Sequence, residues 1–194
     1  MREKILNAFE ESATVKQQFV RENIDTIIDV SRLIADCFSK GGKLLLFGNG
    51  GSSSDASHIA GEFVNRFTKD RPPFPAIALN TDVAVLTSIA NDYDFSEVFA
   101  RQMKAFAHEG DVAIAISTSG NSPNVLKAVE VAKKKKVKTI AFTGAKGDKL
   151  ASMTDYVFAV QSTATPRIQE THITLGHVIC QMVEEILFES HRKK

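Results

Sequence analysis

Lys43-Leu44-Leu45-Leu46-Phe47-Gly48-Asn49-Gly50-Gly51-Ser52-Ser53-Ser54-Asp55, followed by Ala56 to Arg66, is the stretch around which the rest of the chain is ordered. The apolar run over 43–47 reads as a strand, the glycines as a tight turn, and 56–66 as a helix. A strand that empties through glycines into a helix start aims several backbone N–H groups, and the positive end of the helix dipole, at one small volume. That volume suits an anion. Ser52, Ser53, Ser54 and Asp55 are all good N-cap residues, so the helix start is specified redundantly. The glycine spacing is not the dinucleotide fingerprint, and no Lys-Ser/Thr pair closes the turn as in a Walker loop.

Within the helix, His58 and Glu62 are four apart and project from one face, about 5–6 Å between Cβ atoms. An imidazole and a carboxylate beside an anion cradle make a candidate reaction site. Taken singly, each has an ordinary explanation. His58 can be a surface histidine and Glu62 half of an exposed ion pair with Arg66.

The 194 residues suffice for one domain with its own core. Formal net charge is +1, which removes any polyelectrolyte drive toward DNA, RNA or a membrane surface. The run Lys133 to Lys136 reads as favourable charge at a helix C-terminus, not as a nucleic-acid patch. Cys37 and Cys180 fall in helical apolar patterns, as buried reduced thiols do. Met1-Arg2-Glu3-Lys4 opens a polar amphipathic segment without an apolar signal core, and no run reaches membrane-span length, so a cytoplasmic location is expected.

Residues 2–40 carry apolar positions at helical spacing (Ile5, Phe9, then Ile24, Ile27, Ile28, Leu33, Ile34, Phe38), with polar Arg21 to Asp25 read as the break between two helices. Their apolar stripe needs a partner, and subunit packing is the preferred one. Five short apolar runs follow at Leu44 to Phe47, Ala76 to Leu79, Val112 to Ile116, Lys138 to Phe142 and Tyr156 to Val160. Runs of this kind separated by helical segments predict an α/β fold with a five-stranded parallel doubly wound sheet between helical layers.

Open sheets of this kind bind ligands at the carboxyl ends of their strands, and the polar clusters fall there. Leu79 is followed by Asn80-Thr81-Asp82 and a helix ending at Asn91-Asp92. Ile116 is followed by Ser117-Thr118-Ser119-Gly120-Asn121-Ser122-Pro123, with Ser122 as N-cap and Pro123 at the first helical position. Phe142 is followed by Thr143-Gly144-Ala145-Lys146-Gly147. From Thr165 a long apolar helix carries Arg167, Gln169, Glu170, His172, His177 and Gln181.

In this order, Gly48-Asn49-Gly50-Gly51-Ser52, His58 with Glu62 ahead of Arg66, Asn91-Asp92, Ser117 to Ser122, and Arg167-Ile168-Gln169-Glu170 with His177 resemble the sugar isomerase (SIS) domain. Within it, the resemblance is to the phosphoheptose isomerases, and it extends over essentially the whole chain. The resemblance implies a three-layer αβα sandwich, with residues 1–40 as oligomerisation helices and 41–194 as the SIS domain of a single structural unit. It further implies a homotetramer that converts sedoheptulose 7-phosphate to D-glycero-D-manno-heptose 7-phosphate, the first step of bacterial heptose synthesis. Zinc ligation is implied for His58, Glu62, Gln169 and His177, and acid–base catalysis for Glu62 and His177. Phosphate binding falls to Ser117, Thr118, Ser119 and Ser122. Sugar contacts fall to Asn49, Gly50, Gly51, Asn91 and Asp92, with Ser52, Glu62, Arg66 and Gln169 completing the substrate set.

Gln169 and His177 are eight apart, about 12 Å of axial rise on one helix, so a composite site completed by a neighbouring subunit is expected. A second reading stays open. Asn65-Arg66-Phe67, the segment Pro75 to Asp82, and Leu187-Phe188 look like the family's non-catalytic branch, tetramers that bind a replication initiator protein, or like a sugar-phosphate sensor. That branch generally lacks the glutamate that Glu62 supplies.

Overall fold

The computed structural model describes residues 1–189. All five apolar runs form strands: β1 (Leu44–Gly48), β2 (Ala76–Ala78), β3 (Val112–Ser117), β4 (Lys138–Gly144) and β5 (Tyr156–Val160). They pair in parallel throughout, in the order β2-β1-β3-β4-β5. The helices are α1 (Arg2–Ser39), α2 (Gly51–Val64), α3 (Val83–Asp92), α4 (Val98–Phe106), α5 (Pro123–Lys134), α6 (Asp148–Met153) and α7 (Thr165–Glu189), with one 3-10 turn at Phe95–Glu97.

Alternation along the strands builds two cores. Leu44, Leu46, Ile114, Ile116, Ile140 and Phe142 face a layer made by α1, α2 and α7. Leu45, Phe47, Ala113, Ala115 and Ala141 face the layer of α3 to α6. The side-chain period of two thus assigns each strand residue to one layer or the other, and the sandwich has three layers.

Strand order reverses direction between β1 and β3, the point at which an open α/β sheet leaves a crevice outside its strand ends. Gly48 pairs with Ile116 across this point, so the glycine turn and the hydroxyl loop leave the sheet side by side.

The N-terminal region corrects the two-helix expectation. It is one helix of 38 residues, about 57 Å long. Arg21 to Asp25 contains no glycine or proline, and its polar groups sit on the helix surface. There Asn23 Nδ2 donates to the Phe19 carbonyl and Gln18 to Glu22. The helix ends where Gly41 takes φ 79°, a conformation open to glycine. Ile5, Phe9, Val20, Ile24 and Ile28 are exposed along α1, while Val30, Ile34 and Phe38 enter the core.

The lysine run behaves as read. Lys133 and Lys134 close α5, Lys135 Nζ donates to the Ala107 carbonyl, and Lys136 pairs with Glu109. Cys37 and Cys180 are buried free thiols. Burial pushes Cys37 up to about 11 and raises Cys180 also. No helix among the described residues is long and apolar enough to cross a membrane.

Candidate active site

The glycine turn is built by close approach. A Cβ on Gly48 would stand 2.8 Å from the Ile116 carbonyl oxygen and from the Ser52 side chain, so β1 and β3 need glycine here. Gly50 has φ 56° and is the N-cap of α2, which starts five residues earlier than expected. The expected side-chain cap from the serines or Asp55 is not made. Backbone bonds from Ser52 to the Asn49 carbonyl, and from Ser53 and Ser54 to that of Gly50, hold the first turn instead.

From α2 and α7 the structure brings three groups together. His58 Nε2 lies 3.1 Å from Glu62 Oε1 and 3.2 Å from His177 Nε2. All three ligand atoms fall within 4.8 Å of one another in a single chain. The imidazoles meet edge to face, and the Phe67 ring lies 5.5 Å from that of His177. His177 is thus neither a satisfied core histidine nor remote from Glu62. No Glu62–Arg66 ion pair forms among the described residues, because α2 ends at Val64 and Arg66 is exposed beyond it.

This donor set fits a zinc ion. Two donors bound to one tetrahedral zinc at about 2.0–2.1 Å stand roughly 3.3 Å apart, close to both measured separations. One hydrogen on His58 Nε2 cannot serve both neighbours, since donating to Glu62 leaves no lone pair for His177. A cation between the three resolves that conflict.

Gln169 stands two turns earlier on α7. A Cβ on Gly51 would meet its Nε2 at 2.2 Å, so its amide lies against the start of α2 and closes the cleft at the glycine turn. His58, Glu62 and His177 therefore assemble without a neighbouring subunit, while Gln169 is set at the other end of α2.

Opposite, the loop after β3 clusters its hydroxyls. Ser117 Oγ lies 3.2 Å from Ser122 Oγ and 3.5 Å from Ser119 Oγ. Ser122 is the N-cap of α5, with Pro123 in the first turn and no side-chain capping bond, which leaves its hydroxyl free of that duty. Gly120, at φ 63°, packs on Gly147 so tightly that a Cβ would stand 2.3 Å from the Gly147 Cα. Thr118, Ser119 and Asn121 then open onto a cavity of about 250 Å³ shared with Lys146, Ser162 and Thr163. Lys146 belongs to a strand-end loop visible in the sequence, whereas Ser162 and Thr163 carry no motif that singles them out.

Asn49 has a side-chain partner across the switch point. Its side-chain amide and that of Asn124 exchange two hydrogen bonds of 2.9 Å, so it braces the glycine turn against the start of α5. Asn91 Nδ2 donates to Asp92 Oδ1 at the exposed end of α3. Neither side chain bonds to the triad among the described residues.

Asp55 is the group the sequence reading took only for a cap. Burial pushes its carboxyl up to about 6, opposed by His58, and its Oδ2 is buried without a hydrogen-bond partner. Its spacing of three from His58 and seven from Glu62, one face of a helix, is the signal that could have found it. His172 is a core histidine, with Nε2 3.1 Å from the Thr143 carbonyl oxygen and burial holding it down at about 4.

Known proteins share this sequence and fold. The SIS domain family profile matches residues 9–144. A protein of Thermodesulfovibrio yellowstonii named phosphoheptose isomerase is 65% identical over 96% of this chain and 93% of its own. The solved phosphoheptose isomerase of Neisseria gonorrhoeae superposes with a TM-score of 0.89 at 38% identity, covering 95% of this chain and 98% of that one. That of Francisella tularensis gives 0.91 at 38% identity over 94% and 97%. The chain therefore belongs to the phosphoheptose isomerase family of SIS-domain proteins.

Proposed function

We propose that this protein is an aldose–ketose isomerase that converts sedoheptulose 7-phosphate to D-glycero-D-manno-heptose 7-phosphate through an enediolate. The observation that carries the proposal is the meeting of Glu62 and His177, 115 positions apart in sequence, beside a hydroxyl-lined loop at the sheet's switch point. Isomerisation needs a base near C1 and C2, a stabiliser for the developing oxyanion, and a distant anchor.

Ser117, Thr118, Ser119 and Ser122 hold the phosphate through hydroxyls and the N–H groups at the start of α5. Gly50, Gly51, Ser52 and Gln169 line the path from there toward the triad. Glu62 engages His58 through Oε1, which leaves Oε2 to take a proton from the substrate carbon, and His177 serves the oxygens. His58, Glu62 and His177 are the residues that would hold zinc, whose Lewis acidity would polarise the carbonyl, while Gln169, set against the start of α2, serves the substrate path. Asn91, Asp92 and Arg66, exposed in one subunit, fit a homotetramer in which a neighbour covers the cleft. The exposed apolar stripe of α1 supports that assembly, and a cytoplasmic location suits it.

The adaptor and sensor readings are not favoured. The relatives identified above carry the isomerase name, and Glu62, the group the adaptor branch generally lacks, stands in place. The test is coupled turnover on sedoheptulose 7-phosphate with and without added zinc. Glu62→Gln is expected to lower turnover by about a thousandfold or more, with folding and phosphate affinity retained. Near-normal turnover would remove Glu62 from the chemistry.

A further inference from the structure

Two turns beyond His177 on α7, the side chain of Glu184 is wholly inaccessible to solvent, although none of the chemistry above uses it. Its carboxylate is surrounded by donors. Oε1 accepts from Phe67 N at 2.9 Å and Arg71 Nε at 2.7 Å; Oε2 accepts from Thr68 N at 3.0 Å, Thr68 Oγ1 at 2.9 Å and Lys69 N at 3.2 Å.

Arg71, its side chain equally inaccessible, donates onward to the carbonyls of Glu62 and Phe63 at 2.8 Å and of Pro72 at 3.1 Å. The Glu62 and Phe63 carbonyls belong to the last turn of α2, which has no intrahelical donors of its own. The clasp therefore grips the backbone of Glu62 from one side. On the other it is anchored seven residues from His177, on the same face of α7. Phe67, which donates to Glu184, also places its ring against His177.

We propose that Glu184 and Arg71 are positioning residues of the isomerase centre, a buried clasp that sets where Glu62 stands relative to His177. The inference rests on the function proposed above. A buried ion pair is an inefficient way to hold two helices together, since well-packed apolar replacements are often as stable or more so. Directional bonds to the backbone of a catalytic residue instead fix geometry, and a misplacement of about 1 Å can slow a reaction about a hundredfold.

The test compares wild type with Thr68→Val, which removes one hydrogen bond to Glu184, and with the double variant Glu184→Met/Arg71→Met, which removes both buried charges together. The double variant is expected to unfold cooperatively, as wild type does, yet to lose kcat by about fiftyfold or more with KM within about threefold. Zinc titrated into the metal-stripped protein should bind at least about tenfold more weakly. Wild-type kcat and zinc affinity with only a shifted melting temperature would overturn the proposal and leave a purely structural ion pair. If the double variant does not fold, Thr68→Val decides on the same two readouts, with a smaller loss expected in both and no loss in either overturning the clasp. Should wild type fail to turn over sedoheptulose 7-phosphate, the proposed reaction fails, and the clasp is judged on zinc affinity alone.

Discussion

Ser119 and His172 show how differently two polar residues near one site respond to substitution. In the proposed function Ser119 anchors the phosphate, so Ser119→Ala is expected to raise KM by about ten- to a hundredfold, in line with about 1.5–3 kcal/mol for one hydrogen bond to a charged group. Its kcat should change little, and an unchanged KM in steady-state kinetics would argue against the phosphate assignment. His172 is neutral in the fold because burial depresses its pKa to about 4, against 6.5 for a free imidazole. The unfolded chain therefore binds a proton more readily between those values. The stabilisation is present above pH 6.5 and is lost as pH falls toward 4, amounting to about 3 kcal/mol. In His172→Gln, urea unfolding measured from pH 7 to pH 4 should show a correspondingly flatter decline than wild type. The residue types were readable from sequence, but not all their duties. Asp55 was taken for a cap and the bracing pair of Asn49 went unseen, because a side chain's partner across the fold leaves no periodic trace. The reciprocal amide pair with Asn124 joins positions 75 apart.

Between elements, the contact of α2 with α7 governs the site. Gly176 lies beside His177, and a Cβ there would stand 2.5 Å from Ile59 Cδ1 on α2. Gly176→Ala is therefore expected to push the helices apart, destabilising the protein by about 1–3 kcal/mol and slowing turnover. Ile59→Ala in the same chain should restore part of the activity, and a double-mutant cycle on melting temperature and kcat measures the coupling. An additive cycle would separate the two positions. The strands were legible because burial on both faces writes continuous apolar runs. Helix limits were less so, since α2 begins on a glycine turn with φ 56° that substitutes for the serine cap. The supposed break at Arg21 to Asp25 failed for a related reason. A run of polar residues marks an exposed arc of a helix as readily as an interruption, and only glycine or proline would have distinguished them.

At the scale of the molecule, the fold and family were written in the order of modest motifs, while the proposed assembly rests on an unpaired stripe. Ile5, Phe9, Val20, Ile24 and Ile28 remain outside the core, and a helix of about 57 Å offers them along one long edge. Replacing Phe9 and Ile24 together by Glu is expected to leave the sheet folded by circular dichroism and to shift light scattering from the proposed tetramer to smaller species. An unchanged mass would place the subunit contact elsewhere. The order of the elements also bears on biosynthesis. α1 precedes every strand in the chain, and the helix it packs against on the core side, α7, follows them all. The growing polypeptide must therefore keep an oily flank uncovered while every strand is made, and chains released early would have the strand-end hydroxyl loop without the imidazole of His177. Such fragments would be prone to clump and would be early clients for chaperones.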